Sequence, residues 1–199
     1  MRTVKAALLG IGLMMGAACG AEERSEDGGM ASDTDTVATG ADNGAIAAGD
    51  GQQSPPQDAD HEFLRMMSDH HEGLEVMGAD AMSRAVDDSV QSAAHQLHTK
   101  QAAQQDTMVA MIQRMYNEQH APSIMPKNAA QADSLRQMTG NEVDRYFLRT
   151  TITHHEEGVG MIDRFLPRFT KPDVRQMAEQ MRAEQQQEVQ ELQRKLDDL

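Results

Sequence analysis

The sequence predicts an all-α fold, a four-helix bundle made of two copied αα hairpins. Apolar residues recur at alternating steps of three and four, β-branched and aromatic residues are too sparse for strands, and one segment occurs twice. DHHEGLEVM, Asp69 to Met77, returns as THHEEGVGM, Thr153 to Met161, at an offset of 84 residues in a chain of eight histidines. At the same offset Phe63, Leu64 and Arg65 match Phe147, Leu148 and Arg149, and Ala94 and Gln101 match Ala178 and Gln185. Both helices of a hairpin are therefore copied. A period this long suits two hairpins in one bundle rather than a solenoid.

Residues 1–18 read as a signal peptide. Arg2 and Lys5 precede an apolar run, Ala6 to Ala18, that is shorter than the ~20 residues a spanning helix needs. Cys19 is the only cysteine, which excludes an intrachain disulfide, and after Gly16-Ala17-Ala18 it resembles a bacterial lipoprotein attachment site. Lipidation at Cys19 would be the chain's only tie to a membrane. Residues 19–58 form an acidic Gly/Ala/Ser-rich tether with too few large apolar residues to fold, so disorder is expected there. Without Arg2 and Lys5 the basic residues fall from 18 to 16 against 32 acids, a charge of −16. Such a charge argues against nucleic-acid binding and concentrates cations instead. Residues 59–199 are long enough for one domain with a single core.

The first helix is expected from about Asp60 to Ala85, with a stripe of Phe63, Met67, His70, Leu74, Met77 and Ala81. The second starts after Asp87-Asp88, either of which can cap it, and carries Val90, Ala94, Leu97, Gln101, Gln104, Met108, Met111 and Met115. Asn117, Pro122 and Pro126 end it and open a long connection. Thr139 with Glu142 fits a capping box for the third helix, whose stripe is Phe147, Thr151, His154, Gly158, Met161 and Phe165 before Pro167. The last helix starts around Thr170 to Asp173 and carries Val174, Ala178, Met181, Gln185, Glu188 and Leu192. If the hairpins are copies, the first and third helices should be diagonal about a pseudo-twofold axis. His70 and His154 then meet at one height, in a polar layer with Gln101 and Gln185.

Polar groups buried without partners cost ~1 to 3 kcal/mol each, so such a layer needs a reason. One is a closed hydrogen-bond network that fixes register; the other is a metal site. Adjacent side chains on a helix diverge by ~100°, so of His70 and His71 one should face inward and the other an adjacent helix or solvent. Met66 and Met67 lie one turn before His70 and His71. Thioether with imidazole is a soft donor set that favours copper, Cu(I) especially. In the second copy Thr150 and Thr151 replace those methionines, leaving His154, His155 and Met161, so one asymmetric site weighted toward His70 and Met67 is expected. Met77 and Met161 keep their spacing to a histidine pair. His95 and His98 share a face and could extend a site, whereas His61 and His120 read as solvent groups. From Asp60 onward 12 methionines stand against nine leucines, an inversion of ordinary core composition.

Phe63 to Gly78, FLRMMSDHHEGLEVMG, resembles the signature of the bacterial domain of unknown function 305 family: a phenylalanine, a methionine, the pair HH, a nearby glycine and a methionine before a small residue. Gln185, Glu188, Val189 and Leu192 are similar to that family's second-helix pattern, with Gln101, Gln104, Gln105 and Met108 a looser copy. The resemblance covers about Asp60 to Leu199. It implies a ferritin-like bundle exported to the periplasm or cell surface, some members binding copper through Met and His. Carried over residue by residue, it points to Met66, Met67, His70, His71 and Met77, then His154, His155 and Met161.

The expected function is a non-enzymatic, envelope-located protein that sequesters or passes on copper. A competing expectation is an interaction module with a structural histidine layer, paired with another envelope protein or with itself across Glu- and Gln-rich helix faces. A ferritin-like redox enzyme would need Glu-x-x-His pairs, and no histidine has a glutamate three positions before it.

Overall fold

The computed structural model describes residues 54–199 and is all-helical there, with no strand among the described residues. The signal peptide, Cys19 and most of the tether lie outside the described residues. Helix α1 spans Ala59–Arg84, α2 Asp88–Tyr116, α3 Pro126–Gln137, α4 Asn141–Phe165 and α5 Pro172–Asp198, with a 3-10 turn at Leu166–Arg168. The long connection thus contains a helix, α3, absent from the sequence reading. Its composition, PKNAAQADSLRQ, has only a short apolar signal: Ala132 and Leu135 are buried, with little else to set a stripe.

Local chemistry accounts for most helix ends. Asp58 caps α1 through the His61 N–H at 2.8 Å, and Asp87 caps α2 by accepting from Ser89 and Val90. Asn117 closes α2 in the left-handed region at φ 53°. The expected Thr139/Glu142 capping box does not form. Gly140 holds the cap position at φ 59°, ψ −144°, a backbone that favours glycine and moves the helix start one residue past Thr139.

The hairpins do not sit as the copy rule suggested. Helices α1 and α4 pack directly against each other, antiparallel, rather than diagonally. Helices α2 and α5 approach less closely, across a groove lined by Leu97, Lys100, Glu184 and Glu188. Two buried carboxylates, themselves a repeat pair, clasp the hairpins together. Asp60 of α1 accepts from Thr170 N at 3.0 Å, Thr170 Oγ1 at 2.6 Å and Lys171 N at 3.1 Å. Asp144 of α4 accepts from Val86 N at 3.0 Å and Asp87 N at 3.2 Å. Each aspartate satisfies the orphan N–H groups where the other hairpin's outgoing helix begins.

The core divides into two apolar clusters. One gathers Phe63, Leu64, Met67, Met108, Ile112, Met161, Phe165 and Phe169; the other gathers Leu74, Met77, Ala81, Leu97, Phe147, Leu148 and Leu192. Phe63 meets Phe165 and Phe169 at ring centroids of 5.6 and 4.9 Å. On α1 and α4 the residues between the clusters are the two histidine pairs. A polar layer therefore lies between two apolar ones.

Candidate metal centre

All four repeated histidines are buried. His70 and His154 are 3% exposed and His71 and His155 are 0%. Because α1 and α4 pack side by side, His70 and His154 stack across their interface, with ring centroids 3.7 Å apart and planes 23° apart. His71 and His155 turn to the outgoing helices, away from that stack. His71 Nε2 lies 2.9 Å from Gln104 Oε1, and His155 Nε2 lies 2.8 Å from Glu188 Oε2. The choice between adjacent helix and solvent is decided for the adjacent helix in both copies.

Burial governs the electrostatics here. It pushes His70 down to about 3, helped by the neighbouring His71 and His155, and pushes His71 down to about 4 against the hydrogen bond it donates to Gln104. His154 falls well below its ordinary value through burial and then the stacked His70. These imidazoles are neutral at physiological pH, the form a metal ion requires. Burial raises Glu188, but its hydrogen bonds with His155 and Lys100 outweigh this and hold the carboxyl below its usual range.

Several polar atoms around the layer lack a well-formed hydrogen bond: both ring nitrogens of His70, Nε2 of His154, Thr151 Oγ1, and the amide atoms of Gln101 and Gln185. Gln101 and Gln185 are each 1% exposed, and the Gln185 amide lies against Gly158, where a Cβ would crowd it. Unpaired buried polar atoms at this density are uncommon in a native core and mark a site with chemistry still to satisfy.

The other sequence candidates separate. Met161 and His70 line one solvent-open cleft together with Met125, Glu156, Glu157 and Arg164. Met67 lies fully buried in the first apolar cluster, Met66 packs half-buried against it, and Met77 belongs to the second cluster. Sequence reasoning missed Met125, which immediately precedes Pro126 at the start of the unforeseen α3. His95 is exposed, and His98 is held by the Glu75 carbonyl at 3.1 Å.

Two expected solvent histidines are buried instead. His61, 1% exposed, stacks on Tyr116 at 3.9 Å and sits 3.2 Å from Glu118, while His120, 5% exposed, lies 3.1 Å from Asp69. Tertiary folding of the α2–α3 connection onto α1 covers both.

Among the described residues no three His, Cys, Asp or Glu side chains converge to hold an ion. What lines one cleft instead is an imidazole residue, His70, with two thioether residues, Met125 and Met161. That donor set fits a soft monovalent ion rather than a hard divalent one.

The model of the DUF305 family, a domain of unknown function, matches residues 60–196, and the chain belongs to that family. No curated protein matches the sequence. Among solved structures, a DUF305 fragment from Deinococcus radiodurans is 26% identical at a TM-score of 0.65, covering 73% of this chain and 100% of that one. A DUF305 protein of Streptomyces coelicolor is 24% identical at a TM-score of 0.61, covering 68% and 88%. CopM in its Cu(I)-bound form is 20% identical at a TM-score of 0.61, covering 70% and 96%, and its Ag-bound form gives 19% and 0.60 over the same shares. At these identities the CopM and Streptomyces structures establish the common fold.

Proposed function

We propose that this DUF305-family chain is a non-enzymatic protein of the bacterial envelope that sequesters or hands on copper, Cu(I) above all, through histidine and methionine donors. The observation that carries the reading is the buried His70 imidazole, with only the His154 backbone beside it and no well-formed hydrogen bond, lining one solvent-open cleft with Met161. His70 is neutral without any metal, so binding there displaces no proton near pH 7. A net formal charge of −14 draws cations toward the cleft. The CopM structures of the same fold hold Cu(I), Cu(II) and Ag, which adds support from outside the chain. Export is part of the proposal, resting on the signal-like N-terminus and Cys19 together with a relative described as secreted.

Anaerobic titration of the purified domain with Cu(I) against a chromophoric competitor tests the reading. Wild type should bind at least tenfold more tightly than a His70→Ala/His154→Ala double variant of matching helicity. Equal binding removes the proposal.

A second reading has one observation in its favour: the Nε2 atoms of His71 and His155 are each already bonded within the protein, to Gln104 and Glu188. On that reading the layer fixes helix register and the partner is another envelope protein or a second copy. A melting temperature unmoved by copper, zinc or nickel would select it, because a ligand specific to the native state must stabilise that state.

A further inference from the structure

The connection between the hairpins carries more than chain. Residues 117–125 and α3 lie along α1, and their attachments concentrate beside the first histidine pair. Asp69 Oδ1 is approached by the Ser123 N–H at 2.9 Å and by His120 Nε2 at 3.1 Å, which ties the strap to the residue preceding His70. Two residues past Met125, Lys127 pairs with Glu157 on α4. Next to it Asn128, 4% exposed, is seated on Gly73 of α1, where any Cβ would collide with its side chain. Gly73 is therefore required by the close approach of α3, one turn past His70.

Between these fixed points stands Met125. Its backbone sits at φ −66°, ψ 144°, with Pro126 as the first helical residue, so the chain has little freedom there. Its side chain lines the same cleft as His70 and Met161, beside Glu156, Glu157 and Arg164. Met125 is half-buried and belongs to neither apolar cluster, so core packing does not account for its place beside Glu156, Glu157 and Arg164.

We infer that Met125 is a third soft donor, completing with His70 and Met161 a one-imidazole, two-thioether site, and that the Asn128–Gly73 contact is the positioning device that sets it there. This rests on the metal-binding reading above. The site is thereby shared by three parts of the chain, α1, the strap and α4, with neither copy sufficient alone. A three-coordinate set of this softness selects Cu(I) over divalent ions that seek oxygen or more nitrogen.

The test uses the full exported chain, loaded anaerobically with Cu(I), with two readouts: affinity by competition, and the count of sulfur and nitrogen neighbours by copper K-edge X-ray absorption. Wild type should show two sulfurs and at least one nitrogen. Met125→Leu should lose one sulfur and at least tenfold in affinity, and Gly73→Ala should show a similar loss with all three donors still present. Should Gly73→Ala fail to fold, Asn128→Ala loosens the same seat and is read the same way. If wild type binds and Met125→Leu keeps both its sulfur count and its affinity, the inference is overturned while the metal-binding reading stands. If Met125→Leu loses a sulfur but the seat variants do not weaken binding, the positioning role falls. A wild type that binds no Cu(I) removes both the reading and the inference.

Discussion

The two hairpins share a backbone design and differ in chemistry at matched positions. His71 of the first faces the neutral Gln104, whereas His155 of the second faces the carboxylate of Glu188, the residue 84 positions on from Gln104. The next repeat pair, Lys100 and Glu184, crosses the α2–α5 groove: Lys100 Nζ reaches Glu188 at 2.7 Å and Gln104 Nε2 reaches Glu184 at 3.0 Å. The result is a continuous polar chain from His71 through Gln104, Glu184, Lys100 and Glu188 to His155. Duplication supplied the scaffold, and divergence at the matched positions 104 and 188 made one histidine's partner neutral and the other's charged.

Among single substitutions the clasp offers the largest effect by which to probe this asymmetry. Asp60 accepts three hydrogen bonds and Asp144 two, all from groups at the other hairpin's helix start. Orphaned buried donors cost ~1 to 3 kcal/mol each, so Asp60→Ala should destabilise by about 4 kcal/mol and Asp144→Ala by about 2 kcal/mol in denaturant unfolding. Equal losses would mean that the two clasps are equivalent despite their different bonding.

Acid acts on the buried histidines together, and its effect accumulates with each pH unit. His70 at about 3, His71 at about 4 and His154 well below normal all titrate lower in the folded protein than in the unfolded chain near 6.5. Between about pH 4 and 6.5 the unfolded chain binds more protons. The metal-free protein is therefore at full strength above pH 6.5 and loses about 1.4 kcal/mol per pH unit for each such group as pH falls. Melting curves from pH 7.5 to 4.5 should show this limb. Gln104→Glu, which gives the first copy the second copy's carboxylate, should flatten it by raising His71 in the folded state; an unchanged slope would show that the Gln/Glu difference is electrically silent.

The smallest effect separates the methionines. Met67 and Met161 belong to the same apolar cluster, but only Met161 also lines the cleft with His70. Met161→Leu should weaken Cu(I) about tenfold, whereas Met67→Leu should change it less than twofold and cost under about 1.5 kcal/mol of stability. The reverse result would return the site to the first copy, as the sequence alone suggests.

Much of the fold is legible in the sequence. The three-and-four stripe placed the four long helices, the repeat matched the hairpins, and the spacing put His70 and His154 at one level, where they stack. Helix α3 was hidden because its burial is confined to Asn128, Ala132 and Leu135. The burial of His61 and His120 was hidden for a related reason: each sits beside a chain end or connection whose path depends on distant contacts.

By itself the sequence determined the four long helices, their copying and the residue types that meet at the middle of the bundle, because helical periodicity is a local property of neighbouring residues. Only the tertiary structure decided that α1 and α4 lie side by side, that Asp60 and Asp144 serve each other's hairpins, that both histidines of each pair are buried, and that Met125 reaches the cleft. Those outcomes depend on how closely whole helices approach. A notch such as Gly73 or a buried carboxylate sets that distance, through contacts between residues far apart in the chain.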